Sequence, residues 1–215
     1  MKKFLLIYMV ILFTTAIYLL NKDNKQFIFK TGDSLSLSLN SYNIYSYDNY
    51  YKDYLKDKLE NYIVYGNINY RIGELKRDIE KNIKINNRTI QNILIKSDLI
   101  ILEIGIDELM YALNVVDKYT YLDGMVSNME SLIFLIRKYS KEKIVLVGYY
   151  NPSIIENQKY IDYINDKYKE ICKKYNIKYL DVGQLNKKEY FSSNNNHLND
   201  KGYNWINNQI IKAIY

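Results

Sequence analysis

Across 215 residues the chain has one cysteine, one proline, one histidine and one tryptophan, and each scarcity removes a class of explanation. With Cys172 alone, no intrachain disulfide and no cluster of thiolate ligands can form. Its helical spacing with Tyr168 and Ile171 assigns it to a packed face as a small core residue. With His197 alone, a metal centre built from several imidazoles is not available, so no metal and no other cofactor is expected. The eight glycines form no phosphate-cradling loop, and no Gly-x-Ser-x-Gly turn occurs. The 30 Lys and Arg residues against 24 Asp and Glu give a formal charge of +6 without a dense basic block. That pattern suits general attraction to an anionic envelope and carries no motif for nucleic acid.

The long apolar run is at the start. Lys2 and Lys3 precede residues 4–20, which are uncharged and almost wholly apolar, and a polar run from Asn21 to Lys25 follows. The length is at the short end for spanning a bilayer. Small residues are missing from the junction, which reads Ile17-Tyr18-Leu19-Leu20, so an uncleaved single-pass anchor is favoured over a removed secretory signal. The leading lysines place the C-terminal part outside the cell membrane. Residues 1–25 are thus read as an anchor or signal segment and residues 26–215 as one domain.

In that domain short apolar runs alternate with stretches of helical period. Phe27 to Phe29, Tyr62 to Tyr65, Asp98 to Ile104, Ile144 to Val147 and Ile177 to Leu180 read as strands, the second and third ending at Gly66 and Gly105. Helical stripes are formed by Tyr51, Tyr54, Leu55 and Leu59, by Leu75, Ile79 and Ile83, and by Met125, Met129, Leu132 and Ile136. Further helices are expected at residues 87–96, over Ile161 to Tyr175, and over Tyr203 to Ile210 with Asn199 or Asp200 as its cap. Such alternation predicts an α/β fold, a three-layer α/β/α sandwich around a mainly parallel sheet of flavodoxin-like type. Ligands bind such sheets beyond the carboxyl ends of the strands. Thr31 to Ser34, Gly66 to Tyr70, Gly105 to Glu108 and the loop with His197 all follow strand ends, so they share one rim.

A serine in a glycine turn directly after a strand, Gly32-Asp33-Ser34-Leu35, and one distant histidine are the pair that a serine esterase needs. These residues resemble the SGNH or GDSL hydrolases, which include bacterial esterases, lysophospholipases, thioesterases and carbohydrate deacetylases. The resemblance spans nearly all of residues 26–215. It rests on Gly32-Asp33-Ser34-Leu35 and on His197-Leu198-Asn199-Asp200-Lys201-Gly202-Tyr203. It implies Ser34 as nucleophile, His197 as general base, and an oxyanion hole built from the N–H groups of Ser34 and Asn69 together with the side chain at position 107.

Two positions depart from the family pattern. Asp107, in Gly105-Ile106-Asp107-Glu108, stands where the family has an Asn that donates to the oxyanion, and Asn194 stands where it has the acid that orients the histidine. A neutral carboxylic acid at Asp107 would donate as an amide does, and Asn194 would orient the ring through its amide oxygen. Glu108 is read as the start of a helix, where an acidic residue suits the dipole. The tyrosines at 42, 45, 47, 50, 51 and 54 are read as a loop and a packed helix face, Trp205 as packing, and Asn87-Arg88-Thr89 as a chance sequon. The expected activity is hydrolysis or transfer of an ester-linked acyl group, with an envelope acyl ester as substrate. The alternative is a catalytically weak or inactive protein of the same fold that binds envelope lipid or glycan.

Overall fold

The computed structural model describes residues 7, 9, 11–14, 25–37, 49–151, 157–192 and 197–214. Along the chain the elements run β1 (Gln26–Gly32), α1 (Asn49–Leu55), β2 (Leu59–Gly66), α2 (Ile72–Glu80), β3 (Lys84–Ile85), β4 (Arg88–Thr89), α3 (Ile90–Lys96), β5 (Leu99–Glu103), α4 (Ile106–Ala112), α5 (Lys118–Tyr139), β6 (Lys143–Val147), α6 (Gln158–Lys174), β7 (Lys178–Leu180) and α7 (Asp200–Ile214).

Five strands make one sheet in the order β2-β1-β5-β6-β7, and every pairing in it is parallel. Parallel strands covered on both faces carry continuous apolar runs, and Leu99 to Leu102 and Ile144 to Val147 are all buried. Helices show the complementary pattern: α6 buries Ile161, Ile164, Tyr168, Ile171 and Cys172, one stripe at helical spacing. Each fully buried Ile or Leu contributes roughly 1.5–3 kcal/mol relative to exposure. Crossovers between parallel strands are right-handed as a rule and carry helices onto the faces of the sheet. The hydroxyl of Tyr50 on α1 donates to Asn208 on α7 at 2.6 Å, while α5 packs against α2, α3, α4 and α6.

The strand order fixes where a site forms. From β1 the chain moves to β2 on one side, then returns past β1 to β5 on the other. Loops leaving the carboxyl ends of β1 and β5 therefore separate and open a crevice, the switch point at which such sheets bind ligands.

Several local expectations are corrected. Residues 87–96 are not one helix: Lys84–Ile85 and Arg88–Thr89 form an antiparallel hairpin, and the helix starts at Ile90. Its turn residues Asn86 and Asn87 have φ of 49° and 64°, the left-handed pair of a tight hairpin, which Asn tolerates. Leu59 does not continue the α1 stripe, because Lys56 at φ 45° ends the helix and Leu59 opens β2. Ile83 lies beyond α2. Asn199 caps α7, its side chain accepting from the Gly202 N–H at 3.1 Å, and Asp200 is the first helical residue. Cys172 is buried as expected, and burial pushes its thiol up to about 12. Trp205 is partly buried against the core. The tyrosines at 42, 45 and 47 lie outside the described residues, and Tyr54 is exposed.

Among the described residues no helix is long and apolar enough to cross a membrane. Of residues 1–24, only 7, 9 and 11–14 are described; they are helical and exposed. The expected anchor thus falls mainly outside the described residues.

Candidate active site

Ser34 sits two residues beyond the end of β1, after Asp33, in a buried turn. Gly32 is required by close approach: a Cβ there would lie 1.8 Å from the Glu103 carbonyl oxygen of β5. The Asp33 N–H donates to that same carbonyl at 3.1 Å, so the two strand ends stay locked together.

Asp33 holds the loop from inside. Its carboxylate accepts from the N–H groups of Gly105 (2.6 Å), Ile106 (2.7 Å) and Leu35 (3.0 Å). Burial and the charge of Asp107 push this carboxyl up to about 8, against the pull of those three donors. Gly105 adopts φ +99°, and a Cβ on it would meet the Tyr149 hydroxyl at 2.1 Å. That hydroxyl donates to the Ile104 carbonyl at 3.0 Å and lies 3.2 Å from the Tyr168 hydroxyl.

Asp107, in the first turn of α4, joins the expected groups. The Ser34 hydroxyl donates to Asp107 Oδ1 at 3.3 Å, and the Asn69 N–H donates to Asp107 Oδ2 at 3.0 Å. Asn69 has φ 60°, a left-handed conformation that Asn accepts more readily than most residues. Its loop is backed by Asp78, which accepts from the hydroxyls of Tyr65 (2.7 Å) and Tyr70. The carboxylate expected beside Asn69 as a second donor is thus an acceptor for it.

Glu108 does more than start a helix. It is buried, and its carboxylate accepts from the Ile72 N–H at 3.2 Å, tying α4 to the start of α2. Burial raises its pKa, while Ile72 and Arg71 lower it. Beneath the site, Lys30 on β1 and Glu103 on β5 form a buried ion pair at 2.9 Å.

His197 stands half-buried in the bend before α7, and its carbonyl accepts from the Ser192 N–H at 3.0 Å. The next residue, Leu198, bridges to Phe191, whose ring packs 5.5 Å from that of Tyr150. Buried Tyr150 follows β6, and its pKa is raised by burial and by the charges of Asp33, Asp107 and Glu103. These contacts bring the last loop to the rim that carries Ser34. Asn194 lies outside the described residues. Sequence reading missed Asp33, Glu108, Tyr149 and Tyr150 as parts of this arrangement. The two tyrosines had a signal, since they directly follow Gly148 at a strand end.

A groove of about 840 Å³ runs between α2 and α5, with Glu108 in its lining and Ser34, Asn69, Asp107 and His197 outside it. Arg71, Glu74, Arg77, Tyr121 and Asn128 line it. Gly73 and Gly124 also face it, and at neither would a Cβ meet an atom within 4 Å. Among the described residues no group of His, Cys, Asp and Glu is arranged to hold a metal ion.

Comparison with known proteins places this arrangement in context. A family model described as the GDSL-like lipase/acylhydrolase family matches residues 31–205. Solved structures match over most of their length. A lipase from a goat rumen metagenome is 20% identical with a TM-score of 0.70, covering 88% of this chain and 97% of that one. An acetylxylan esterase from Geobacillus stearothermophilus is 15% identical with a TM-score of 0.67, covering 87% and 93%. A psychrotrophic esterase from Pseudoalteromonas sp. is 14% identical with a TM-score of 0.64, covering 88% and 97%. At these identities the likeness is one of fold. No curated protein matches the chain.

Proposed function

Because the chain belongs to the GDSL-like lipase/acylhydrolase family, we propose that it is a serine hydrolase cleaving or transferring an ester-linked acyl group. Ser34 attacks the carbonyl, His197 serves as the imidazole base, and the N–H groups of Ser34 and Asn69 receive the oxyanion. The observation that carries this reading is the convergence of the Ser34 hydroxyl and the Asn69 N–H on one side chain at the switch point of the sheet.

Among ester classes an acylated sugar is the one to test first, in keeping with the fold shared with an acetylxylan esterase. The apolar segment 4–20 supports attachment of the domain to the outer face of the cell membrane, where such esters occur. Recovery of the full chain in the membrane fraction after high-salt washing checks that attachment.

The test is turnover of p-nitrophenyl esters of increasing chain length and of acetylated sugars by the full chain, beside Ser34→Ala. Turnover that vanishes in Ser34→Ala, with acetylated sugars preferred over long acyl chains, is expected. A folded protein with no turnover above the variant would instead favour a binding protein of the same fold, with Asp107 closing the site.

A further inference from the structure

Asp107 engages the two groups that acyl transfer uses, the Ser34 hydroxyl at 3.3 Å and the Asn69 N–H at 3.0 Å. As a fixed negative charge it would oppose the oxyanion, and losing one oxyanion donor costs ~10²–10³ in turnover in other hydrolases. The same contact offers a different role. Resting on the proposed serine hydrolase reading, we propose that Asp107 is a catalytic residue that accepts the proton of Ser34 and then, as a neutral acid, donates it toward the oxyanion.

The steps balance. As Oγ bonds to the acyl carbon, the Oγ–H bond breaks and the proton passes to Asp107 Oδ1. The carbonyl π pair becomes the oxyanion beside a carboxyl that is now neutral, and Asn69 N–H turns to it from Asp107 Oδ2, which it holds in the free protein. One unit of negative charge moves from Asp107 to the substrate oxygen, so the two never carry full charge together. When the adduct collapses, the carbonyl re-forms, the ester C–O bond breaks and the proton goes to the departing alkoxide. Asp107 is then ionised again. In deacylation His197 accepts a proton from the attacking water, and as the acyl C–Oγ bond breaks that proton passes to Ser34 Oγ, which frees the acid. A carboxylate is an ordinary general base when it is held within reach of the proton.

The surroundings fit this exchange. Asn69 N–H holds Oδ2, which leaves Oδ1 directed at Ser34. The charged and titratable neighbours are Asp33 from the loop after β1 and Tyr150 from the segment after β6. One layer away stand the Glu103–Lys30 pair in the sheet and Glu108 with Arg71 on the helix side.

Asp107→Asn decides the matter by its sign, because it restores the family's amide donor while removing the proton acceptor. The measurement is the rate at which an alkyl fluorophosphonate labels Ser34 in the full chain, followed by mass spectrometry across pH, beside ester turnover. Labelling is expected to climb from acid pH to a plateau in the wild type. In Asp107→Asn it is expected to fall about 100-fold or more, the range of a lost general base. His197→Ala is expected to lose less, and added formate to restore labelling in Asp107→Ala but not in Ser34→Ala. The proposal is overturned if Asp107→Asn labels as fast as the wild type or faster, if wild-type labelling declines as pH rises, or if Ser34 is not labelled at all. Where the wild type turns over esters and Asp107→Asn does so faster, this inference fails and the hydrolase reading stands. Where Ser34 neither labels nor supports turnover, both fail.

Discussion

Around Ser34, three carboxylic side chains each tie together loops that are remote in sequence, whereas the loop of His197 is tied by backbone groups, the Asn199 amide and an exposed Lys201–Glu189 ion pair. Asp33 joins the first loop to Gly105 and Ile106, Asp107 joins Ser34 to Asn69, and Glu108 joins α4 to Ile72. In the last loop, Asn199 caps α7 through Oδ1 and donates through Nδ2 to the carbonyls of Glu189 (2.9 Å) and Phe191 (3.1 Å). The first rim carries charge into a dry place and must pair it; the second stays near solvent and needs no buried ion. A nucleophile and an oxyanion donor require fixed geometry, and multiple buried acceptors supply it.

Breaking the carboxylate side should cost most. Asp33→Ala strands three buried N–H groups, each worth about 1–3 kcal/mol when left unsatisfied, and is expected to remove a large part of the fold's stability in urea unfolding. The same residue gives a pH signature. Its folded pKa of about 8 lies above the ordinary 3.8, so between those values the native chain keeps a proton that the unfolded chain has lost. Stability should therefore decline as pH rises through that window, on the order of several kcal/mol, and be fully present below it. Urea midpoints measured across the window read this slope, which Asp33→Asn should flatten. A stability that instead increases with pH there would contradict a raised Asp33.

A smaller break tests the glycine hinge between the sheet and α4. Gly105→Ala should lose about 2 kcal/mol or more from its left-handed backbone and its collision with the Tyr149 hydroxyl. Combined with Tyr149→Phe, which removes the colliding atom, the loss should be less than the sum of the single changes. Strict additivity in thermal melts would mean that the two residues are not in contact.

Asn199→Ala sharpens the comparison from the other side. Loss of a cap costs about 1 kcal/mol, so the fold should persist. Ester turnover should drop more than stability, because the backbone that carries His197 loses the support of both Asn199 donors. Phosphonate labelling of Ser34, which depends on the first rim, should change least.

The sequence made the sheet legible because continuous runs such as Leu99 to Leu102 have no alternative to burial on both faces. Gly32, Gly66 and Gly105 marked three strand ends: the first two close β1 and β2, and Gly105 follows β5 after Ile104. The Asn86-Asn87 hairpin was hidden, since two asparagines are ordinary in a helix of a chain rich in that residue and reveal a tight turn only through their backbone angles. Glu108 was underread. Its partner is the N–H of Ile72, which has no sequence signature because every non-proline residue carries one.

The sequence by itself determined the alternation of strands and helices, the family pattern around Ser34 and His197, and the departure at Asp107, all of which are local or positional properties. Only the tertiary structure decided that Asp107 accepts from Ser34 and from Asn69 at once, and that Asp33 lies fully buried among three donors. Those facts arise where β1 and β5 become neighbours across a switch in strand order, and a hydrogen bond between residues that far apart in the chain exists only once the sheet has assembled.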